Sequence, residues 1–317
     1  MEFYGVNASL IEQYIAFKRS LGYAFTDTYM FKMFDEFTIN EKAASIGLTK
    51  ELARKWGEKR PNESNVNRYK RVNTIINFSI YLNELGYHSY IPRQIKGYKT
   101  TFTPYIFAKV ELESFFTACD TTEVTRQSSM QYILPVIFRL IYGCGLRVSE
   151  AVNLKHDDVN LEKGFIIIRE TKNGCDRILP MSDSLTTVCT QYKTIYLSVR
   201  KPSIYYFSQK DGRPYSPNTI YRWFRKILWK AGISHGGKGK GPRVHDFRHS
   251  FSVHSLAEMS RKGLDLYYSL PILSKYLGHN SLEATDKYVR LTSEMYPELI
   301  QDVNSICSFV FPEVGLP

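Results

Sequence analysis

The sequence is short of acid. Its 317 residues carry 31 Asp and Glu against 42 Lys and Arg, for a formal net charge of +11 and a pI near 9.2. That excess points to a polyanionic partner, either nucleic acid or an anionic membrane surface. A basic enzyme without such a partner has the same balance, so charge alone does not choose. The chain also lacks any uncharged apolar run near the ~18 residues that a membrane span needs. Its first residues (MEFYGVNASLIEQYIAFKRSLGY) mix charge into apolar positions too early for a signal peptide. Cysteines are few: Cys119, Cys144, Cys175, Cys189 and Cys307. An odd number with no CxxC pair argues for a reducing compartment and against both a disulfide framework and a cysteine-based zinc site. Internal repeats and low-complexity tracts are also missing. The expectation is a soluble cytoplasmic protein with no membrane partner, no cofactor and no metal.

What is present is apolar and aromatic. Hydrophobic residues make up 43% and aromatic residues 14%, enough for two cores in a chain of this length. Residues 8–90 read as consecutive amphipathic helices. The first carries Leu10, Ile11, Tyr14, Ile15 and Phe17 and closes at Gly22. The second carries Tyr29, Phe31, Met33, Phe34 and Phe37. A third starts at Thr49, whose hydroxyl can cap it, and the fourth runs from Val72 through Leu85 to Gly86. This block, residues 1–90, reads as a small helical domain. Arg54, Lys55, Lys59 and Arg60 cluster around one loop, and Arg68, Lys70 and Arg71 open the last helix. Solvated helix faces are often charged, but acids are sparse here, which favours phosphate contacts.

Residues 91–104 (IPRQIKGYKTTFTP) read as a basic, extended linker. Over 105–317 a second domain follows. It has helices around Val110–Ala118 and Tyr132–Tyr142, and short strands FIII and RILP flanking the turn TKNGC. A mainly helical remainder is interrupted by GGKGKGP at 236–242. The fold class is mainly α with a small antiparallel β-sheet.

Four segments carry the chemistry: GCGLRVSEAVNLKHDDV at 143–159, ETKNGCDR at 170–177, HDFRHSF at 245–251 and YLGHNSLEATDKY at 276–288. Each is ordinary alone. In order, spacing and local context they resemble the tyrosine recombinase (phage integrase) family. That pattern has an arginine in a G-L-R turn followed by Glu, a lysine in a β-hairpin, H-x-x-R opening a helix, L-G-H, and a tyrosine nine residues later. The matching positions are Arg147, Lys172, His245 with Arg248, His279 and Tyr288. The helical block resembles the family's core-binding (SAM-like) DNA-binding domain in architecture more than in motif. One departure is the interval from Arg248 to His279, which is several residues longer than in compact members, around RKGLDLYYSLP. No arm-type segment precedes residue 8, which leans towards a simpler core recombinase.

The resemblance implies a site-specific DNA recombinase working through a 3′-phosphotyrosine, and the residue types fit that chemistry. Attack on a phosphodiester builds a crowded, highly charged phosphorane. Two guanidiniums, Arg147 and Arg248, can each grip two oxygens of it, with His279 adding a hydrogen bond. Tyr288 must lose a proton from a phenol of pKa ~10, and His245 is the expected acceptor. Lys172 is the expected acid for the leaving 5′-oxygen. Glu150 is expected to brace Arg147 at i+3, and Arg243 joins the DNA-contact candidates. His245 and His249 have the i, i+4 spacing of a zinc pair but lack a third ligand, so His249 reads as structural. The implied partners are double-stranded DNA with a specific recombination site and a homotetramer on two such sites, with room for an accessory DNA-bending or directionality factor. Rival readings are a type IB topoisomerase-like relaxing enzyme and a DNA-binding protein with a dead site. The helical first domain and L-G-H weigh against the former, and the complete residue set weighs against the latter. Leu299, Ile300, Val303, Ile306, Cys307 and Val310 form an apolar stripe expected to dock on a neighbouring protomer.

Overall fold

The computed structural model describes all residues except 1, 24, 26–27, 97–102, 124–127, 170–175, 238–240, 280 and 297–317. The chain divides into two compact units, residues Met1–Phe102 and Thr103–Pro317. Lys172 and the expected tail stripe lie outside the described residues.

The first unit contains α1 (Ala8–Ser20), α2 (Thr28–Asn40), α3 (Lys50–Gly57) and α4 (Asn65–Glu84). Capping sets two of the starts: Thr49 and Ser64 accept the Leu52 and Asn67 N–H groups, each at 3.2 Å. Tyr14, Phe31, Phe34, Trp56 and Phe78 fill the core as edge-on or tilted aromatic neighbours. Burying each such ring stabilises by about 1.5–3 kcal/mol before entropy is counted. The chain just before and at the start of the expected linker touches the helical unit. The Tyr90 N–H donates to Leu48 O at 2.7 Å, and Ile95 packs on the helical core. Ile95 thereby half-buries surface that a free linker would leave in water.

The second unit contains α5 (Lys109–Asp120), α6 (Met130–Gly143), α7 (Val148–Val152), β1 (Val159–Asn160), β2 (Phe165–Ile168), β3 (Arg177–Pro180) and α8 (Asp183–Ile195). α9 (Pro217–Lys230), α10 (Asp246–Arg261), α11 (Leu266–Leu277) and α12 (Glu283–Met295) follow. The sheet is antiparallel in the order β1-β2-β3, with Val159 opposite Ile166 and Ile167 opposite Ile178. Helix α6 is the axis of this unit: Ile133, Leu134, Ile137, Phe138 and Ile141 are all inaccessible to solvent. It packs on α5, α8 and α10, around Phe115, Phe138, Phe224 and Phe247. A second cluster, Val253, Leu256, Leu270, Leu273, Leu277, Tyr288 and Leu291, joins α10, α11 and α12. No helix among the described residues is long and apolar enough to cross a membrane.

Candidate active site

The site is assembled at helix ends of the second unit. After α6 the chain turns at Gly145, whose φ of +58° suits glycine. A methyl there would lie 2.7 Å from Phe251 Cδ1 and 3.0 Å from Leu277 Cδ2. This close approach brings the turn against α10 and α11, and Arg147, two residues on, caps the start of α7. The Arg147 N–H and Nη1 donate to the Glu150 carboxylate at 2.9 and 2.7 Å. The expected brace is therefore present in the structure.

Arg248 lies in the first turn of α10 and is 1% exposed. Its Nη1 donates to Gly145 O at 2.7 Å and its Nη2 to Leu277 O at 2.6 Å. One guanidinium thus ties the turn before α7 to the end of α11. Burial, then the charge of Arg147, brings its pKa down to about 10, so it stays cationic at neutral pH. His279 follows α11, and its Nδ1 shares a 2.7 Å hydrogen bond with Thr285 Oγ1 at the start of α12. Burial first, then Arg248 and Arg147, pushes its pKa down to about 4, leaving a neutral ring.

Tyr288, on α12, is 1% exposed, and its hydroxyl lies 2.8 Å from His249 Nδ1. Placing the imidazole proton on Nε2 makes the phenol the donor. In the free protein the group that meets the hydroxyl is His249, read from its spacing as structural, rather than the expected acceptor His245. His249 sits one turn after His245, with ring centroids 4.8 Å apart. The i, i+4 spacing was a usable signal, but spacing cannot show which imidazole the phenol will reach. Burial, then His245 and Lys287, pushes the His249 pKa down to about 2. Burial raises that of Tyr288, against the pull of Arg248 and Arg147. Both groups are therefore neutral in the free protein. His245 is pushed down to about 4, first by the protein atoms around it and then by Arg248, Lys287, Arg147 and Arg243. Its outer edge remains exposed, so water offsets part of the first effect and the four cations are its durable cause.

The basic candidates of the first unit divide. Lys70 is exposed; Arg54 is exposed and pairs with Glu58 at 2.6 Å. Lys55 pairs with Glu41 at 2.5 Å, and Arg68 Nε donates to Gly57 O at 2.8 Å. Arg71 departs from the expected phosphate contact. It is 1% exposed, its Nε and Nη2 meet Glu63 at 2.8 and 2.9 Å, and its Nη groups donate to Trp56 O and Glu58 O. A guanidinium with those partners holds the α3–α4 connection and cannot reach a phosphate. In the second unit, Arg243 pairs with Asp246 at 3.2 Å across the start of α10.

Comparisons with known proteins bear on the fold and the family. The putative integrase/recombinase y4rB of Sinorhizobium fredii is 27% identical over 299 residues, covering 92% of this chain and 95% of that protein. Tyrosine recombinase XerA of Pyrococcus furiosus is 36% identical over 175 residues, about half of each chain (53% and 54%). Among solved structures, XerH site-specific recombinase bound to a palindromic difH substrate matches with a TM-score of 0.63 at 20% identity, covering 88% of this chain and 77% of that one. The Tn1549 transposon integrase in complex with a circular intermediate DNA gives 0.63 at 17% identity, covering 88% and 93%. At those identities the structures speak for the fold. The model of the phage integrase family matches residues 106–295, more than half of the sequence and every site residue placed in the second unit, and the chain belongs to that family of tyrosine recombinases.

Proposed function

We propose that the chain is a site-specific DNA recombinase that cuts and rejoins strands through a 3′-phosphotyrosine on Tyr288. The observation that carries this reading is that Arg248 ties the turn before Arg147 to the end of α11, where the His279 ring lies 6.4 Å from that of the buried Tyr288. In the cutting step the Tyr288 oxygen attacks phosphorus and the 5′-oxygen of the next deoxyribose leaves. The bond to phosphorus is conserved in the adduct, so a second 5′-hydroxyl can reverse it without an external energy source. Arg147 and Arg248 hold the charge that builds on the non-bridging oxygens. Lys172, which falls between β2 and β3 in the chain, protonates the leaving oxygen. The buried Tyr288–His249 pair is a resting arrangement. A phenol held neutral in a buried pocket is a poor nucleophile, so engagement of DNA must free it, and a phosphate that neutralises the four cations around His245 then lets that ring accept the proton. The finer readings are that four protomers assemble on two sites and that residues 297–317 dock on a neighbour. A duplex nicked beside the cleavage position tests the core of the proposal, because the short 5′-hydroxyl fragment diffuses away and traps the adduct. Peptide mapping is expected to place the DNA on Tyr288; DNA on any other residue refutes the assignment.

A further inference from the structure

Arg177, the first residue of β3, belongs to none of the roles above, yet it is almost enclosed: its side chain is 8% exposed. Its Nη1 donates to Glu150 Oε1 at 3.1 Å and its Nη2 to Glu150 Oε2 at 2.7 Å. Glu150, itself only 7% exposed in its side chain, is the carboxylate that braces Arg147. Burial alone pushes the Glu150 carboxyl up; the hydrogen bonds and charge of Arg177, and then those of Arg147, outweigh it and keep the group ionised. The division of labour is unequal. Arg177 meets both carboxylate oxygens, whereas Glu150 takes only Nη1 of the Arg147 guanidinium. On its other side Arg177 lies against Gly278, the residue before His279. A methyl on Gly278 would sit 3.2 Å from both Cδ and Nη1 of Arg177. Gly278 has φ +66°, so the turn into His279 uses glycine both for its backbone angle and for this contact.

We propose that Arg177 is a positioning residue for phosphate binding: it saturates Glu150 so that Arg147 is held by one nitrogen and left able to grip the phosphate, and it backs the turn that carries His279. A carboxylate with a single arginine partner draws that arginine into a two-pronged pair. With Arg177 in place the cluster of two guanidiniums and one carboxylate keeps a net positive charge facing the anion. This role rests on the proposed function, in which Arg147 is a phosphate ligand.

The test compares adduct formation on two nicked duplexes, one natural and one carrying a neutral methylphosphonate at the cleavage position. Replacing a non-bridging oxygen by methyl removes the charge that the arginines neutralise. Arg177→Met is expected to slow adduct formation on natural DNA by about 10- to 100-fold, less than the 10²–10³ typical of deleting a transition-state donor outright. The deficit should shrink to within about threefold on the methylphosphonate, with DNA affinity unchanged. Arg177→Lys keeps the charge but has no planar fork, so it should fall between wild type and Arg177→Met. It also serves as the reading if Arg177→Met does not fold. Arg147→Ala is run beside both. If Arg147→Ala is relieved by the methylphosphonate while the Arg177 variants lose equally on both duplexes, Arg177 is only a structural ion pair and this proposal is overturned. If Arg147→Ala is not relieved either, the phosphate-binding role of Arg147 falls, and the proposal with it.

Discussion

Replacing Tyr288 by Phe separates the two things its hydroxyl does. The phenol oxygen is the proposed nucleophile, and in the free protein it also satisfies His249 Nδ1 across 2.8 Å. Phenylalanine keeps the ring packed among Val253, Leu256, Leu277 and Leu291 but leaves a buried acceptor alone. An unsatisfied buried polar group costs about 1–3 kcal/mol, and relief from burying the hydroxyl offsets part of it, so a net loss of about 1–2 kcal/mol is expected. For a unit of this size that lowers the melting temperature by roughly 2–8 °C. A double-mutant cycle with His249→Leu isolates the pair and should return a coupling of about 1–2 kcal/mol by calorimetry. Tyr288→Phe should also form no adduct on a nicked duplex while binding DNA as tightly as wild type, since affinity rests on many phosphate contacts. A coupling near zero would show that the two groups do not share a proton; an adduct with the Phe variant would remove Tyr288 as nucleophile.

Lys172→Ala should lose most cleavage of natural DNA yet recover when the leaving 5′-oxygen is replaced by sulfur, which needs no acid; absence of rescue makes Lys172 a phosphate contact instead. Arg71→Met should destabilise the first unit by about 3–5 kcal/mol, the typical loss when one partner of a buried ion pair is removed. Urea unfolding followed on Trp56 measures it, and a variant that folds normally but binds DNA weakly would return Arg71 to the phosphate contacts. Acid should weaken the second unit. Unfolded histidine takes up its proton near pH 6.5, whereas folded His249 stays neutral down to about 2. Protonation therefore favours the unfolded chain: the stabilisation is complete above pH 6.5 and is lost as pH falls, by about 2 kcal/mol from His249 between pH 7 and 5. Melting temperatures that stay level over that range would contradict a buried neutral imidazole.

What the sequence displayed depended on how local the cause was. Strands Phe165–Ile168 and Arg177–Pro180 are short apolar runs on either side of an Asn-Gly pair, and both occur in the structure with those bounds. The α3 start was legible because one hydroxyl, that of Thr49, makes it. Helix α8 was not, since its buried Leu185, Cys189 and Tyr192 are spaced among threonines that blur the period. At the site, motif order located Arg147, Arg248, His279 and Tyr288, whereas the contacts between them are tertiary. Nothing local tells that Arg177 reaches Glu150 or that the phenol meets His249. Arg71 failed for the opposite reason. Arg68 and Lys70 nearby in sequence are basic, and only the fold brings Glu63 and the carbonyls of Trp56 and Glu58 around it.

The order of the site residues along the chain has a consequence for damaged gene products. The residues proposed to hold DNA phosphate precede α12, and the proposed nucleophile, Tyr288 on α12, comes after them all. A messenger broken or a ribosome stalled between Arg248 and Tyr288 yields a polypeptide that keeps Arg147 and Arg248 but lacks the proposed nucleophile. On the proposed chemistry, copies that end before Tyr288 are silent on DNA and cannot leave a broken strand behind.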